Sequence, residues 1–357
     1  MNNMYNSFRP GKTWLDNNGK RIQAHGGSII FVDGYYYWYG ENKEFSDGIS
    51  GIWTCGIKCY KSKDLYNWED LGYLMPPQYD DIESPFNPKE CMLDRPHIIY
   101  NKKTKKYVCW IKVMHRNGVQ DEVVLTSDKI VGPYIIVNSG IRPYGMSAGD
   151  FDLAVAEDGK AYYYFERVHS ETICAELNDD YTDVTGVYSR HFPHSGPPFV
   201  REGIAHFMYN NKHYLITSGT TGYLPNPSEV AVSDNWHGPF EVLGNLHKND
   251  ESKTSFHSQI SSVFKVEGKK NLFIAAADRW AVDCMDLKYD DYADIYKSLF
   301  SRNKKEREKL MKTAAYERID DLKRNTSAAE YVWLPIKFDG NRPFIEWLDE
   351  WKIEDYG

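Results

Sequence analysis

The stretch VREGIAHFMYNNKHYLITSGTTGY, residues 200–223, holds a short apolar strand opened by Arg201, Glu202 and Gly203, a polar turn at Asn210, Asn211 and Lys212, and a second strand from His213 to Thr217. Two apolar runs joined by so short a polar turn read as a β-hairpin. An acidic residue at the mouth of its first strand, ahead of a mostly apolar run, needs a reason to be there. Glu202 lies twelve residues before Tyr214, and that count recurs along the chain. In FVDGYYYWYGE the turn is Asp33-Gly34, and His25 lies twelve before Tyr37. In AVAEDGKAYYYFE the turn is Asp158-Gly159, and Asp150 lies twelve before Tyr162. In VFKVEGKKNLFIAAADRW the turn is Glu267-Gly268, and Gln259 lies twelve before Asn271. DRPHIIYNKKTKKYVCWI has a turn one residue longer, and Asp94 lies thirteen before Tyr107.

Five hairpins, spaced roughly 50 to 70 residues apart, thus open with a polar residue at one register: His25, Asp94, Asp150, Glu202 and Gln259. Strand-only repeats of this period predict an all-β, five-bladed β-propeller, in which each blade is a four-stranded sheet and the first strands line a central axis. The five residues then form a ring at one end of that axis. A ring with three carboxylates is a candidate active site.

No Pro/Gly/Ser linker divides the 357 residues, so one propeller domain is expected across residues 1–357. The 27 tyrosines suit strand interiors and sugar-stacking surfaces alike. A formal charge of −8 with no basic patch argues against nucleic acid as a partner. The N-terminal segment has no apolar leader core and no span of about 18 apolar residues follows, so a cytoplasmic protein without membrane contact is expected. Cys55 and Cys59 share a strand face, but no Cys/His pair at ligand spacing completes a zinc site, so free thiols are expected.

The outer halves of the blades share a pattern: a strand, an Asp-containing turn, then Trp, Tyr or Gly-Pro-aromatic entering the last strand, as in EVAVSDNWHGPFEVL. The fifth blade is interrupted at about residues 284–325 by a segment rich in Lys, Glu, Ala and Leu, with Met311, Ala315, Ile319 and Leu322 at helical spacing. The expectation is a helical insertion decorating the propeller flank, with a lid or an oligomer contact as the alternative.

The motifs QAHGGSII, DGYYYWYGE, DRPHIIYNKKTKKYVCW, REGIAHFMYNNKHYLITSGTTGY, the Ser-Gln ahead of FIAAADRW, and YVWLPIKFDG together resemble glycoside hydrolase family 43. More narrowly, they are similar to its branch of exo-acting β-1,3-galactanases and galactosidases, with arabinofuranosidases in related branches. The resemblance runs from about Phe8 to Trp351. It implies a five-bladed propeller, in agreement with the hairpin count, and inverting hydrolysis by an acid, a base and a carboxylate that adjusts the acid's pKa.

Carried over residue by residue, Glu202 matches the family's catalytic acid, with Glu-Gly-Ile standing where the family has Glu-Ala-Pro. Asp94, in Asp-Arg-Pro, corresponds to a Glu of the galactanase branch, and the resemblance gives it the task of holding the Glu202 pKa high. The base that commonly opens the first blade as Asp-Pro aligns with Gly26-Gly27, and glycine can accept no proton. The galactanase-like branch uses instead a glutamine before the last blade, as an imidic tautomer, and Gln259 matches it. Glu41 and Asp150 read as acceptors for sugar hydroxyls, with Asp150 the alternative base. His25 reads as an axial hydrogen-bonding group and Arg279 as a sugar-binding cation. No cofactor is required. Some family members hold a cation on the axis, but one histidine does not establish it.

Structural readings compete with these. Glu202 can pair with Arg201 or Arg279, Asp94 with Arg95, Gln259 can cap backbone at a strand end, and Arg279 can pack between blades. The resulting expectation is an exo-acting, inverting glycosidase that releases galactose from β-1,3-linked galacto-oligosaccharides. An α-L-arabinofuranosidase or β-xylosidase is the alternative within the enzyme class, and a non-catalytic sugar-binding propeller the alternative outside it.

Overall fold

The computed structural model describes residues 4–301, 303–322 and 325–357, and its strands form five four-stranded antiparallel sheets. The first blade is β1 (His25–Val32), β2 (Tyr35–Glu41), β3 (Ile57–Ser62) and β4 (Glu69–Met75). The second is β5 (Cys91–Asn101), β6 (Lys106–His115), β7 (Gln120–Ser127) and β8 (Ile135–Ile141). The third is β9 (Ala148–Val155), β10 (Ala161–Arg167), β11 (Glu171–Leu177) and β12 (Val184–His191). The fourth is β13 (Arg201–Tyr209), β14 (Lys212–Gly219), β15 (Glu229–Ser233) and β16 (Glu241–Gly244). The fifth is β17 (Gln259–Lys265), β18 (Phe273–Arg279), β19 (Glu330–Asp339) and β20 (Arg342–Phe344). Within each sheet the strands lie in chain order, and the first strands touch in the cycle β1, β5, β9, β13, β17 and back to β1. This is the five-bladed propeller the hairpin count predicts.

Local chemistry accounts for the hairpins. The β13–β14 turn is two residues, Asn210 (φ 50°) and Asn211 (φ 58°), and the β1–β2 turn is Asp33 (φ 50°) and Gly34 (φ 81°). Consecutive left-handed residues are what a two-residue hairpin needs to match strand twist, and Asn, Asp and Gly tolerate them best. The paired strands are rich in Tyr, Trp, Val and Ile, whose side chains pack well on a pleated surface.

All four strands of the last blade come from the C-terminal part of the chain, so the ring does not close by sharing a blade between the two ends. It closes by packing. Phe8 and Trp351 bridge the ends through reciprocal backbone bonds of 2.9 and 3.1 Å, and their rings stack at 4.3 Å. Beneath them Trp38 of β2 and Trp333 of β19 meet at 4.6 Å, with Trp14 and Trp68 against both. First blade, last blade and lead-in thus share one apolar core.

The insertion lies between β18 and β19, inside the last blade. It contains α1 (Ala293–Leu299), α2 (Lys304–Leu310) and α3 (Ala314–Leu322). Of its expected span, residues 302, 323 and 324 lie outside the described residues. The helical register read from Met311 does not run through: Met311 ends α2 and is 50% exposed, while Ile319 of α3 is buried. The helices pack onto the body through Leu224, Ala281, Leu287, Tyr292 and Tyr296. All six cysteines are buried and unpaired. No helix among the described residues is long and apolar enough to cross a membrane.

If Trp333 fastens the two ends of the ring, Trp333→Ala should destabilise the fold by about 3–5 kcal/mol, the usual cost of deleting a buried indole. Urea unfolding followed by far-UV circular dichroism measures it. A loss below about 1 kcal/mol would assign ring closure to other contacts.

Candidate active site

Each ring residue faces a partner on the second strand of its hairpin: His25 pairs with Glu41, Asp94 with Lys112, Glu202 with Ser218 and Gln259 with Asp278. In the third blade Glu166 falls at the irregularity between Phe165 and Arg167, opposite Gly149 and Asp150. Directly after three of the ring residues the first strand bulges, with Gly26, Arg95 and Gly203 at φ of 59°, 53° and 58°. Each bulge turns one backbone N–H toward the neighbouring blade. Gly26 N donates to Asp278 (3.0 Å), Arg95 N to Glu41 (3.1 Å) and Gly203 N to Asp150 (3.1 Å). A bulge that re-aims the chain at a binding surface is a common device, and here it fixes carboxylates around the axis.

These residues surround a cavity of about 790 Å³ at one end of the axis. Of the residues picked out in the sequence, Glu202, Asp94, Gln259, Glu41 and Asp150 line it together. Arg95, Lys112 and Glu166 share its floor, and Trp53, Tyr223 and Trp280 form an aromatic wall with successive ring centroids 5.0 Å apart. Lys43, fully buried behind that wall, donates to Tyr223 Oη at 2.9 Å and lies 2.8 Å from Glu41.

Two of the predicted residues are not in the cavity. His25 is completely buried, with Nδ1 2.9 Å from Asp278 and its ring stacked on Tyr331 at 4.5 Å. Burial lowers its pKa, so the imidazole is neutral and part of the core between first and last blades. Arg279 donates to the carbonyls of His257 (3.2 Å) and Phe256 (3.0 Å) and crosses the face of Trp347. It packs against loops and does not line the cavity, in keeping with the structural alternative the sequence offered. The residues do not fit an axial cation either. The Arg95 guanidinium already reaches across the ring, and no group of three or more His, Cys, Asp or Glu suited to a metal occurs among the described residues.

The carboxylates differ in their surroundings. Asp150 is buried, which pushes its pKa up, but Arg95 at 2.9 Å and Lys112 at 3.0 Å outweigh burial and hold it ionised, well below the usual range. Glu202 makes no side-chain hydrogen bond or ion pair among the described residues. Removal from bulk water, then the charges of Asp150 and Glu166, raise it well above the ordinary carboxyl value. Glu166 is itself pushed up to about 7 by burial. Glu41 likewise rises to about 7, through burial and then Asp94, with Lys43 opposing. An ionised carboxylate beside a protonated one is the arrangement that separates acid from base roles.

The charges that weigh most on Glu202 are those of Asp150 and Glu166, whereas the resemblance gives that task to Asp94. Asp94 accepts from Trp53 Nε1 at 2.8 Å, and Lys112 lies 3.4 Å away. It acts on Glu41 instead, while Asp150 and Glu166 act on Glu202. Glu166 and Lys112 escaped the sequence reading although their signal was there: each stands across the hairpin from a ring residue, as Glu41 does.

Gln259 is held by three bonds. Its Oε1 accepts from Arg95 Nη2 (2.6 Å) and Trp280 Nε1 (3.0 Å), and its Nε2 donates to Ser218 Oγ (2.8 Å). Guanidinium and indole nitrogens are donors only. An imidic tautomer would place a hydroxyl proton on Oε1 facing both of them, so the geometry favours the ordinary amide. One Nε2 proton remains to hold a ligand oxygen.

Gly26 also acquires a reason. A Cβ there would lie 2.1 Å from Glu41 Oε1, and one at Gly27 1.7 Å from the Tyr39 carbonyl. Gly26 leaves the space that the end of the Glu41 side chain fills, while Gly27 is required by the close approach of the β2 backbone.

A profile for glycosyl hydrolases family 43 matches residues 21–284. Among solved structures, the chain is similar to a family 43 β-1,3-galactosidase at 29% identity and a TM-score of 0.78, covering 99% of this chain and 65% of that one. A second family 43 β-1,3-galactosidase, solved with galactodeoxynojirimycin, is 27% identical with a TM-score of 0.77, covering 97% of this chain and 100% of that one. The exo-β-1,3-galactanase from Phanerochaete chrysosporium, solved with galactose, shares the fold at 22% identity and a TM-score of 0.76, covering 98% of this chain and 68% of that one. The chain thus spans about two thirds of the length of some of these relatives and the whole of another. No curated protein matches it.

The electrostatics predict an order of effects on the ionisation of Glu202. Glu166→Gln removes a negative neighbour and should lower the Glu202 pKa, so that the group ionises at lower pH than in the parent. Asp94→Asn should move it less. Carbon-13 NMR titration of glutamate carboxyls, assigned with Glu202→Gln, reads both. A larger movement with Asp94→Asn would restore the assignment taken from the resemblance.

Proposed function

The chain belongs to glycosyl hydrolases family 43, and from that premise we propose that it is an exo-acting, inverting glycosidase releasing galactose from β-1,3-linked galacto-oligosaccharides. The observation that carries this reading is the contrast between Glu202 and the carboxylates around it, within a cavity walled by aromatic rings. Glycoside hydrolysis needs one carboxyl that keeps its proton to give to the leaving oxygen, and an acceptor on the far side of the sugar for the attacking water's proton. Glu202, unpaired and raised well above its ordinary value, suits the first task. Galactose as the glycone rests on the likeness to the two β-1,3-galactosidases. A cavity at one end of the axis, lined from all five blades, suits a chain end. Trp53, Tyr223 and Trp280 suit the apolar face of a sugar ring.

For the second task the geometry favours a division of labour. Gln259 and Glu41 stand on adjoining blades, joined by Arg95, whose backbone N–H meets Glu41 and whose guanidinium meets Gln259. In our reading the free Nε2 proton of Gln259 holds the water oxygen, and Glu41 takes the water's proton. A carboxyl raised to about 7 is a far better acceptor near neutral pH than Asp150, which Arg95 and Lys112 keep ionised. Asp150 then accepts a hydrogen bond from substrate and supplies the charge that keeps Glu202 loaded.

Glu202→Gln should slow hydrolysis of a galactoside with a poor leaving group by about 10²–10⁴-fold and an activated aryl galactoside by much less, since the latter departs with little protonation. Equal losses on the two substrates would remove Glu202 from the acid role. A screen of aryl pyranosides and furanosides sets the glycone: turnover of an arabinofuranoside or xyloside in place of the galactoside selects another specificity of the family, and binding without turnover makes the protein a sugar-binding propeller.

Inversion makes a second prediction. In-line attack by water on a β-galactoside yields α-galactose first, which proton NMR detects before mutarotation. Glu41→Gln should abolish most of this turnover while galactose still binds, with Asp150→Asn mainly weakening binding. A first-formed β anomer rules out inversion. An active Glu41→Gln beside an inactive, sugar-binding Asp150→Asn makes Asp150 the base.

A further inference from the structure

The helical insertion is not the flank decoration its composition suggests. Three of its side chains, Tyr296 and Leu299 of α1 and Phe300 just beyond, line the same cavity as Glu202. Both ends of the insertion are tied to the rim. At its start, Tyr292 Oη donates to the Pro225 carbonyl, and Tyr292 and Tyr296 pack against Leu224, in the loop that leaves β14. At its end, Thr326 N and Oγ1 donate to Ser46 O (2.9 Å) and Oγ (2.8 Å), and Ser46 also lines the cavity. Across the mouth, the Phe300 ring meets His169 edge-on at 5.2 Å. His169 is itself anchored, its N–H donating to Glu166 at 2.7 Å. The insertion therefore forms a strap tied to the fourth blade at its start and to the first at its end, with Phe300 reaching His169 of the third blade.

One atom of that strap has no partner. Tyr296 is 4% exposed, and its hydroxyl is buried with no hydrogen bond among the described residues. A buried hydroxyl left unpaired is costly and unusual in a folded protein. Burial raises its pKa, so it remains a phenol able to donate. Beside it Phe300 leaves 47% of its surface exposed, an apolar ring standing at the cavity rim.

Position in the cavity says which part of a substrate these groups meet. Glu41 and Gln259 adjoin the floor formed by Arg95, Lys112 and Glu166, and in the glycosidase reading above this end takes the sugar that is cleaved off. The acid has to reach the oxygen between that sugar and the leaving group. Tyr296, Leu299 and Phe300 line the cavity from an element that is not part of the ring, and Phe300 stands at the rim, which puts them where a group attached beyond that oxygen would lie.

We propose that the insertion builds the leaving-group subsite: Tyr296 Oη donates to a hydroxyl or ring oxygen of the departing sugar, and Phe300 with His169 offers an apolar platform to its face. The ligand is a second sugar residue, joined to the first through the oxygen that Glu202 protonates. This rests on the glycosidase reading above, but it concerns the leaving group and not the identity of the sugar released.

The test separates the two subsites. β-Galactosyl fluoride fills only the floor, since its leaving group is one atom, whereas galactosyl-β-1,3-galactose fills both. Tyr296→Phe and Phe300→Ala should each lower kcat/KM on the disaccharide by about threefold to tenfold, the scale of one hydrogen bond or one stacking contact, and change it less than twofold on the fluoride. The fluoride also controls for folding, because a disrupted variant loses both substrates. Because fluoride also departs with little protonation, the pH profile on the disaccharide separates the leaving group from the acid: a basic limb that stays in place assigns the loss to the leaving-group contact, and a shifted limb assigns it to Glu202 and overturns the proposal. Equal losses on both substrates, with unchanged thermal unfolding, would mean that the strap shapes the floor and not the leaving-group subsite. Unchanged rates on both would return the insertion to a decorative role. If wild-type protein turns over a xyloside or an arabinoside instead, the galactose reading fails, and the matching disaccharide and fluoride of that sugar carry the same comparison. If no glycoside is turned over, both proposals fall.

Discussion

The Arg95 guanidinium is the contact on which the cavity depends. It comes from the second blade and reaches Asp150 on the third at 2.9 Å and Gln259 and Ser261 on the fifth at 2.6 and 3.0 Å. Its own backbone N–H bonds Glu41 on the first. Through its side chain and its backbone N–H, this one buried residue of the second blade thus orients residues on three others. Burial opposes the charge, but Asp150, Glu41, Asp278 and Asp94 together hold it firmly protonated. Such a cluster is not a source of stability by default, since the desolvation of each charge offsets most of the attraction. Its value lies in geometry. The planar guanidinium forces Gln259 to present Oε1 inward and leaves Nε2 facing the cavity. Arg95 adopts its left-handed φ at the position where glycine stands in the first and fourth blades, a strained conformation that the surrounding bonds hold in place.

The propeller itself was legible because its signal is redundant. Five hairpins repeat one register, and each is marked by turn residues whose left-handed backbone the structure reproduces. The ring of first-strand residues was legible for the same reason, and four of its five members enclose the cavity. His25 is the exception. Being in register puts a residue at the end of its strand but does not say whether the side chain points into the opening or between blades. At His25 the neighbouring Asp278 and Tyr331 draw it into the core, and its strand partner Glu41 takes the place at the cavity.

What the sequence hid was mostly the second layer. Lys112 and Glu166 sit inside runs that read as ordinary strand ends, KYVCWIKVMH and AYYYFER, and their importance appears only when each is set against its partner across the hairpin. The pairing of charges was misread for a related reason. Adjacency around the axis follows blade order, so Glu202 on the fourth blade feels the carboxylates of the third, Asp150 and Glu166, before it feels Asp94 on the second. A resemblance that aligns residues one at a time does not carry this order. The insertion was hidden differently: composition and helical spacing describe its surface, but its placement over the mouth depends on ties to Pro225 and Ser46, far apart in the chain.

Taken together, the cavity places two pairs of carboxylates in opposite regimes. On the side of the third and fourth blades, two cations fix the charge of Asp150, and that charge, with Glu166, keeps the proton on Glu202. On the side of the first and second blades, Asp94 is tied to Trp53 while Glu41 is raised to about 7, beside a lysine that burial has stripped of water. In the proposed mechanism the first side gives a proton and the second takes one. The two glycines of His-Gly-Gly belong to this arrangement, because any side chain at Gly26 would collide with Glu41. With Glu41 in its present place, Gly26 carries no side chain and the carboxylate of this blade comes from the second strand. In the proposed mechanism the proton acceptor then stands on the second strand of the blade instead of the first, where burial raises its affinity for the proton against the pull of Lys43.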